Sequence, residues 1–169
     1  AYSHCLQHRN QRAILIGPTV GMIRESMWTT LKSIVHKSHL EGLPREMDLE
    51  LRFINGSKIS LKGFDRPDGL RGISPSPSFI VLDEFAFIKQ HAFTEVVLPM
   101  AADPQRKAKI LIISTPKGVQ GDFYELFNKG QEDNKGVWKS WQFTAESVRP
   151  DMKEELELAK ATLDIKTYE

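Results

Sequence analysis

Three short apolar runs punctuate the chain: AILIG at 13–17, FIVLD at 79–83 and KILIIS at 109–114. Each is continuous rather than alternating, which predicts strands covered on both faces, the habit of parallel sheets. Between the first two runs the period changes twice. Ile23, Met27, Leu31, Ile34 and Val35 recur at helical spacing, predicting one amphipathic helix from about Val20 to about His39. Leu49, Leu51 and Phe53 then alternate, Asn55-Gly56 supplies a tight turn, and Ile59 and Leu61 alternate back, which predicts a β-hairpin. DRPDGLRGISPSPS (65–78) reads as a loop. Downstream, 92–101 predicts a short helix, GDFYELFNKG (121–130) a helix closed by Gly130, and VWKSWQF (137–143) a last alternating strand. DMKEELELAKATL (151–163) predicts a helix capped by Asp151. Strands interleaved with helices make this an α/β domain, a mainly parallel sheet flanked by helices with an inserted β-hairpin. Its functional groups belong at the carboxyl ends of the strands.

Composition narrows this picture only slightly. The 169 residues suit a single domain, or one large fragment of a domain, with a sizeable core, 40% hydrophobic and 27% charged. With 23 basic and 22 acidic side chains the net charge is +1, so any surface for a polyanion must be local. The single cysteine, Cys5, excludes an internal disulfide. No apolar stretch approaches bilayer length and AYSHCLQHRNQR lacks a signal-peptide core, so the expectation is a cytoplasmic protein without membrane contact. His4, His8, His36, His39 and His91 show no metal-ligand spacing, and Trp28, Trp138 and Trp141 are expected in packing.

The strand ends carry the chemistry. SFIVLDE delivers Asp83 and Glu84 to the edge of the sheet. A magnesium nucleotide site needs such a pair, one carboxylate to hold Mg²⁺ and one to orient or deprotonate the attacking water. Asp83 is the metal candidate and Glu84 the base candidate, although a strand that merely ends in acids would look the same. KILIISTPKG ends in Ser114, Thr115 and Pro116, hydroxyls able to sense a phosphate or to make a stiffened turn. PDGLRG presents Arg71 between glycines, suited to phosphate contact or to an arginine finger, or to a surface pair with Asp65 or Asp68. No GxxxxGK[ST] loop occurs in the 169 residues.

Taken in order, IGPT, NGSKI, PDGLRG, FIVLDEFAFI and ILIISTPKGVQGDFYELFNKG resemble the ATPase domain of the large terminase subunit of tailed bacteriophages and prophages. The resemblance implies a RecA-like P-loop NTPase fold that uses ATP and Mg²⁺ to drive double-stranded DNA into a capsid. It implies that Asp83 and Glu84 are the Walker B acids, that Ser114, Thr115 and Pro116 form the coupling motif, and that Arg71 is a finger acting across subunits. A homo-oligomeric ring, a small terminase subunit and a portal protein are the implied partners, in the cytoplasm of a bacterial host. Against the family pattern, residues 1–169 form a partial ATPase domain without its phosphate-binding loop or nuclease domain. Ala1 in place of Met and the polar KTYE end suggest cuts at both ends, and the chain is expected not to hydrolyse ATP unaided. Another DNA-translocating ATPase of helicase type, and a non-catalytic prophage remnant binding DNA or a partner, stay open. Lys58, Lys62, Arg66 and Lys117 are the scattered candidates for DNA contact.

Overall fold

The computed structural model describes residues 1–66, 68–71, 73, 76–88, 91–104, 106–118 and 121–149, the side chains of 68, 71, 145 and 146 excepted. The predicted helix at 151–163 lies outside the described residues. Two compact units divide the chain, Ala1–Glu125 and Leu126–Glu169.

The first unit is built on one five-stranded sheet. Its strands are β1 (Arg12–Gly17), β2 (Glu50–Arg52), β3 (Lys58–Gly63), β4 (Phe79–Leu82) and β5 (Lys109–Ile112), in the spatial order β2-β3-β1-β4-β5. β1 pairs in parallel with β3 and β4, and β4 with β5; only the edge strand β2 is antiparallel. The predicted hairpin is therefore part of the main sheet, its second strand lying directly beside β1. Phe53 donates its N–H to the Ser57 carbonyl, and Gly56 closes the turn back to Phe53.

One face of the sheet packs beneath the first long helix. Ala13, Leu15, Leu51, Ile59, Leu61 and Val81 join Cys5 of α1 (Tyr2–Gln7) and Ile23, Trp28, Leu31 and Val35 in one buried cluster. That helix, α2, runs Val20–Ile23, passes through a π-helical turn at Arg24–Trp28 and finishes at Thr29–Ile34. It ends well before His39, and the π turn moves the apolar stripe. Trp28, five residues after Ile23, takes the core position, and Ile34 is 57% exposed. On the other face Ile14, Ile16, Ile80 and Leu82 are buried too. The 92–101 prediction is met by α4, a π turn Phe93–Val97 continued by Leu98–Ala101, which buries Phe93, Val96, Val97 and Met100.

Other expectations change. The 65–78 loop contains a one-turn helix, α3 (Asp68–Arg71), which packs against the end of α4. β5 is an edge strand rather than one covered on both faces, with Leu111 40% and Ile113 47% exposed. α5 (Asp122–Glu132) runs through Gly130 instead of stopping there. A Cβ at Gly130 would collide with Ser140, so this glycine admits a close approach of chain.

In the second unit 137–143 is not a strand. Trp138 packs its ring under the Lys129 ammonium, while Ser140 donates to the Phe127 carbonyl and accepts from Gln131 through its own carbonyl. Trp141 and Phe143 are exposed rather than packed. A short helix, α6 (Ala145–Val148), follows.

Candidate functional site at the carboxyl edge of the sheet

From β1 the chain leaves toward β3, and from β4 it leaves toward β5. These neighbouring strands thus diverge at their carboxyl ends, and that is where open α/β sheets bind ligands. Asp83 and Glu84 follow β4 at this switch point. Asp83 donates its N–H to the Ile16 carbonyl at 2.7 Å, and Phe85 donates to Ile113 at 3.3 Å, so the acidic turn is fastened to the ends of both flanking strands.

Glu84 is held in the left-handed region at φ 49° and ψ 42°, unusual for a residue with a Cβ. Its Oε2 is buried without a hydrogen-bond partner. Strained backbone and an unsatisfied carboxylate oxygen at one residue are costs that a purely structural turn does not require.

Ser114 lies beside this turn. Its Oγ accepts from the Ala86 N–H at 3.1 Å and donates to the Thr115 carbonyl at 3.1 Å, joining the end of β5 to the segment after the acids. Thr115 itself is exposed. Arg71 closes α3, between β3 and β4 in the chain, and its side chain is outside the described set. Asp83, Glu84, Ser114 and Thr115 thus share one edge of the sheet; Arg71 is located only through its backbone.

Two further features lie at this edge. Asp65 accepts from the Val20 N–H at 3.2 Å, while Thr19 caps α2 by accepting from Met22 at 3.2 Å, so both groups serve the helix start. Gly63 permits this approach, since a Cβ there would strike Asp65, Val20 and Thr19. Beyond Phe85 opens a cleft of about 340 Å³, lined by Phe85, Ala86, Ile88, Lys117, Asp122 and Tyr124 among others. It adjoins the acids without including them. Asp122 fixes one wall by accepting from the His91 N–H at 2.7 Å. The flanking Gly118 and Gly121 were the available signal, and both adopt positive φ.

Among the described residues no group of three or more ligand-type side chains could cage a metal, and no helix is long and apolar enough to cross a membrane.

Comparison with known proteins agrees with this architecture. The ATPase domain of the large terminase of Thermus phage P74-26 superposes with a TM-score of 0.77 at 24% identity, covering 96% of this chain and 75% of that one. The large terminase of a second, thermophilic bacteriophage, solved with ADP, gives a TM-score of 0.71 at 18% identity over 94% of this chain and 39% of that one. In sequence, the PBSX phage terminase large subunit of Bacillus subtilis strain 168 is 24% identical over 134 residues, 78% of this chain and 30% of that protein's length. The chain therefore spans less than a third of that relative, while sharing the RecA-like fold of the ATPase domains. The model of the terminase large subunit family, T4likevirus-type, N-terminal, matches residues 1–164, and the chain belongs to that family.

Proposed function

We propose that this chain is part of the ATP-driven motor that packages double-stranded phage DNA, and that the Asp-Glu turn processes the nucleotide. The observation that carries the reading is Glu84, strained in backbone and with a buried, unpartnered Oε2 at the switch point of the sheet. An oxygen so placed is ready to accept a proton or a hydrogen bond from a water aimed at a γ-phosphate.

Asp83 would hold Mg²⁺. The site fits this ion because Mg²⁺ keeps several waters and takes one or two carboxylates plus substrate phosphates, so no cage of protein ligands is needed. Bound there, the metal would neutralise charge on the transferring phosphoryl group. The chain's own part is to orient water through Glu84 and to relay the state of the site through Ser114 and Thr115, whose strand end is hydrogen-bonded to the acidic turn. Arg71 would serve a neighbouring subunit's site in a homo-oligomeric ring. Double-stranded DNA, a small terminase subunit and a portal protein are the partners, and family membership supports packaging over helicase action. Residues 1–169 would act as part of a larger ATPase domain and show no turnover alone.

The test is Mg²⁺-dependent ATP hydrolysis by the parent large subunit. Glu84→Gln is expected to lower kcat by about 10²–10³-fold with nucleotide affinity held within a few-fold. Asp83→Asn is expected to raise the Mg²⁺ requirement. Undiminished kcat in Glu84→Gln would remove the acid from the mechanism.

A further inference from the structure

The segment 41–49 is firmly fastened, yet it holds two apolar side chains out in water. Arg45 and Glu50 exchange backbone hydrogen bonds at 3.0 and 3.2 Å, and Glu41 donates its N–H to the Arg52 carbonyl at 2.8 Å, so the segment folds back along the outer side of β2. Glu46 pins its middle to α2. The Glu46 carboxylate accepts from the Trp28 Nε1–H at 2.6 Å and from Lys32 at 2.7 Å, and its carbonyl accepts from Arg24 at 3.1 Å. On this support Leu43 is 89% and Met47 91% exposed, with Arg45 and Asp48 exposed beside them. Scattered exposed apolar residues need no explanation, but a pair presented on a fixed support loses little freedom on docking and suits the anchors of an interface.

The cleft beyond Phe85 offers the complement. Phe85, Ile88 and Tyr124 give it apolar walls, and Lys117 and Asp122 add one charge of each sign. Lys117 lies over the Phe87 ring at 5.0 Å and pairs with no carboxylate among the described residues. Asp122 uses one oxygen to accept from the His91 N–H. A volume of about 340 Å³ admits a few side chains rather than a helix.

Within one copy these two surfaces are far apart. The segment 41–49 flanks β2 at one edge of the sheet, while the cleft opens past the carboxyl ends of β4 and β5 at the other. β2 and β5 are four strand spacings apart, about 19 Å. Two unlike patches on opposite edges of one compact unit make a head-to-tail contact, which closes into a ring when the rotation permits.

We propose that the segment 41–49 of one copy docks in this cleft of the next. Leu43 and Met47 enter against Phe85, Ile88 and Tyr124, Asp48 faces Lys117, and Arg45 faces Asp122. The inference rests on the ring reading and adds to it the surfaces through which neighbours meet. Charge selects a second copy over a polyanion, because Glu41 and Asp48 on the segment and Asp122 in the cleft would repel phosphate.

The test is thiol cross-linking between two differently substituted forms of the 169-residue chain, whose own Cys5 is fully buried. Met47→Cys mixed with Lys117→Cys and a short bis-maleimide is expected to give a dimer of unlike copies. Ile54→Cys, at a position 71% exposed on the hairpin turn, is the control and is expected to give little. Adding Leu43→Ser to the Met47→Cys chain should lower the yield about tenfold without moving its thermal melt, since Leu43 packs against nothing in the free chain. With Tyr124→Cys as the cleft partner, Asp48→Lys on the other chain is expected to lower the yield and Lys117→Glu on the cleft chain to restore it. If Tyr124→Cys melts early, the Lys117→Cys mixture carries the test alone. The proposal is overturned by absence of the mixed dimer, by equal yield from Ile54→Cys, or by Met47→Cys alone cross-linking as well as the mixture. Protection of Met47→Cys from labelling by duplex DNA, with no cross-link, would assign the segment to DNA and overturn it too. Failure of the Glu84 experiment with the cross-links as expected removes the ATPase reading and leaves the interface; the reverse result removes the interface alone.

Discussion

Glu84 is the residue where local cost and chemistry meet. A non-glycine residue in the left-handed region gives up on the order of 1 kcal/mol, and a buried oxygen without a partner adds to that. Glu84→Gly should therefore raise the urea midpoint by an amount worth about 1 kcal/mol while removing the base. A lower midpoint would show that the carboxylate supports the turn. Glu50 is the opposite case, an acid whose charge is fully used. Burial pushes its carboxyl up, but hydrogen bonds and charges from Lys58 and Arg52 more than offset this and hold the pKa at about 2, against a usual 4.5. Since the folded value lies below the unfolded one, its contribution to stability is complete above about pH 4.5 and disappears as pH falls toward 2. Urea unfolding across that window should show the slope, and Glu50→Gln should flatten it. The sequence hid both features: nothing in LDEF sets a positive φ, and nothing in ELRF names the partners of Glu50.

At the scale of elements, α2 separates periodicity from packing. Helical spacing of about 3.6 residues puts Met27 and Ile34 in the stripe, but the π turn at Arg24–Trp28 inserts one extra residue and seats Trp28, which is 1% exposed. Trp28→Ala should cost about 3–5 kcal/mol, and Ile34→Ala less than about 1, measured by chemical denaturation. Comparable losses would mean that a regular α-helical stripe prevails in solution. β1, β4 and the hairpin were legible because continuous β-branched runs and an Asn-Gly turn leave few alternatives. The 137–143 segment was not, because alternation says which parity is apolar and not whether a ladder partner exists. There Ser140 and Gln131 make bonds to and from α5 in place of a sheet. At Gly130 the sequence suggested a helix stop, whereas the decisive fact is the proximity of Ser140, further along the chain.

For the molecule as a whole, the order of strands mattered more than their number. Placing Asp-Glu and Ser-Thr-Pro at strand ends required only local patterns; learning that β1 and β4 are neighbours whose chains diverge required the fold. The same is true of Arg12, which is far in sequence from the hairpin residues Arg52 and Lys58 and is set opposite Lys58 only by the register of β1 and β3. Cys5 reports on this whole. It is fully buried where α1 meets β1 and β3, and burial raises its thiol pKa to about 11. Alkylation of the native chain should therefore be slow and should follow global unfolding as urea is added. Rapid labelling without urea would mean that α1 detaches by itself.

The link between Ser114 and the Ala86 N–H adds to the backbone bonds that Asp83 and Phe85 make to the flanking strand ends. A neutral hydrogen bond of this kind contributes about 0.5–1.5 kcal/mol net, and at about 1 kcal/mol it is open in roughly one molecule in six. Because the backbone bonds from Asp83 to Ile16 and from Phe85 to Ile113 hold the turn independently, loss of this one bond loosens the segment after the acids from Ser114 without releasing Glu84 itself.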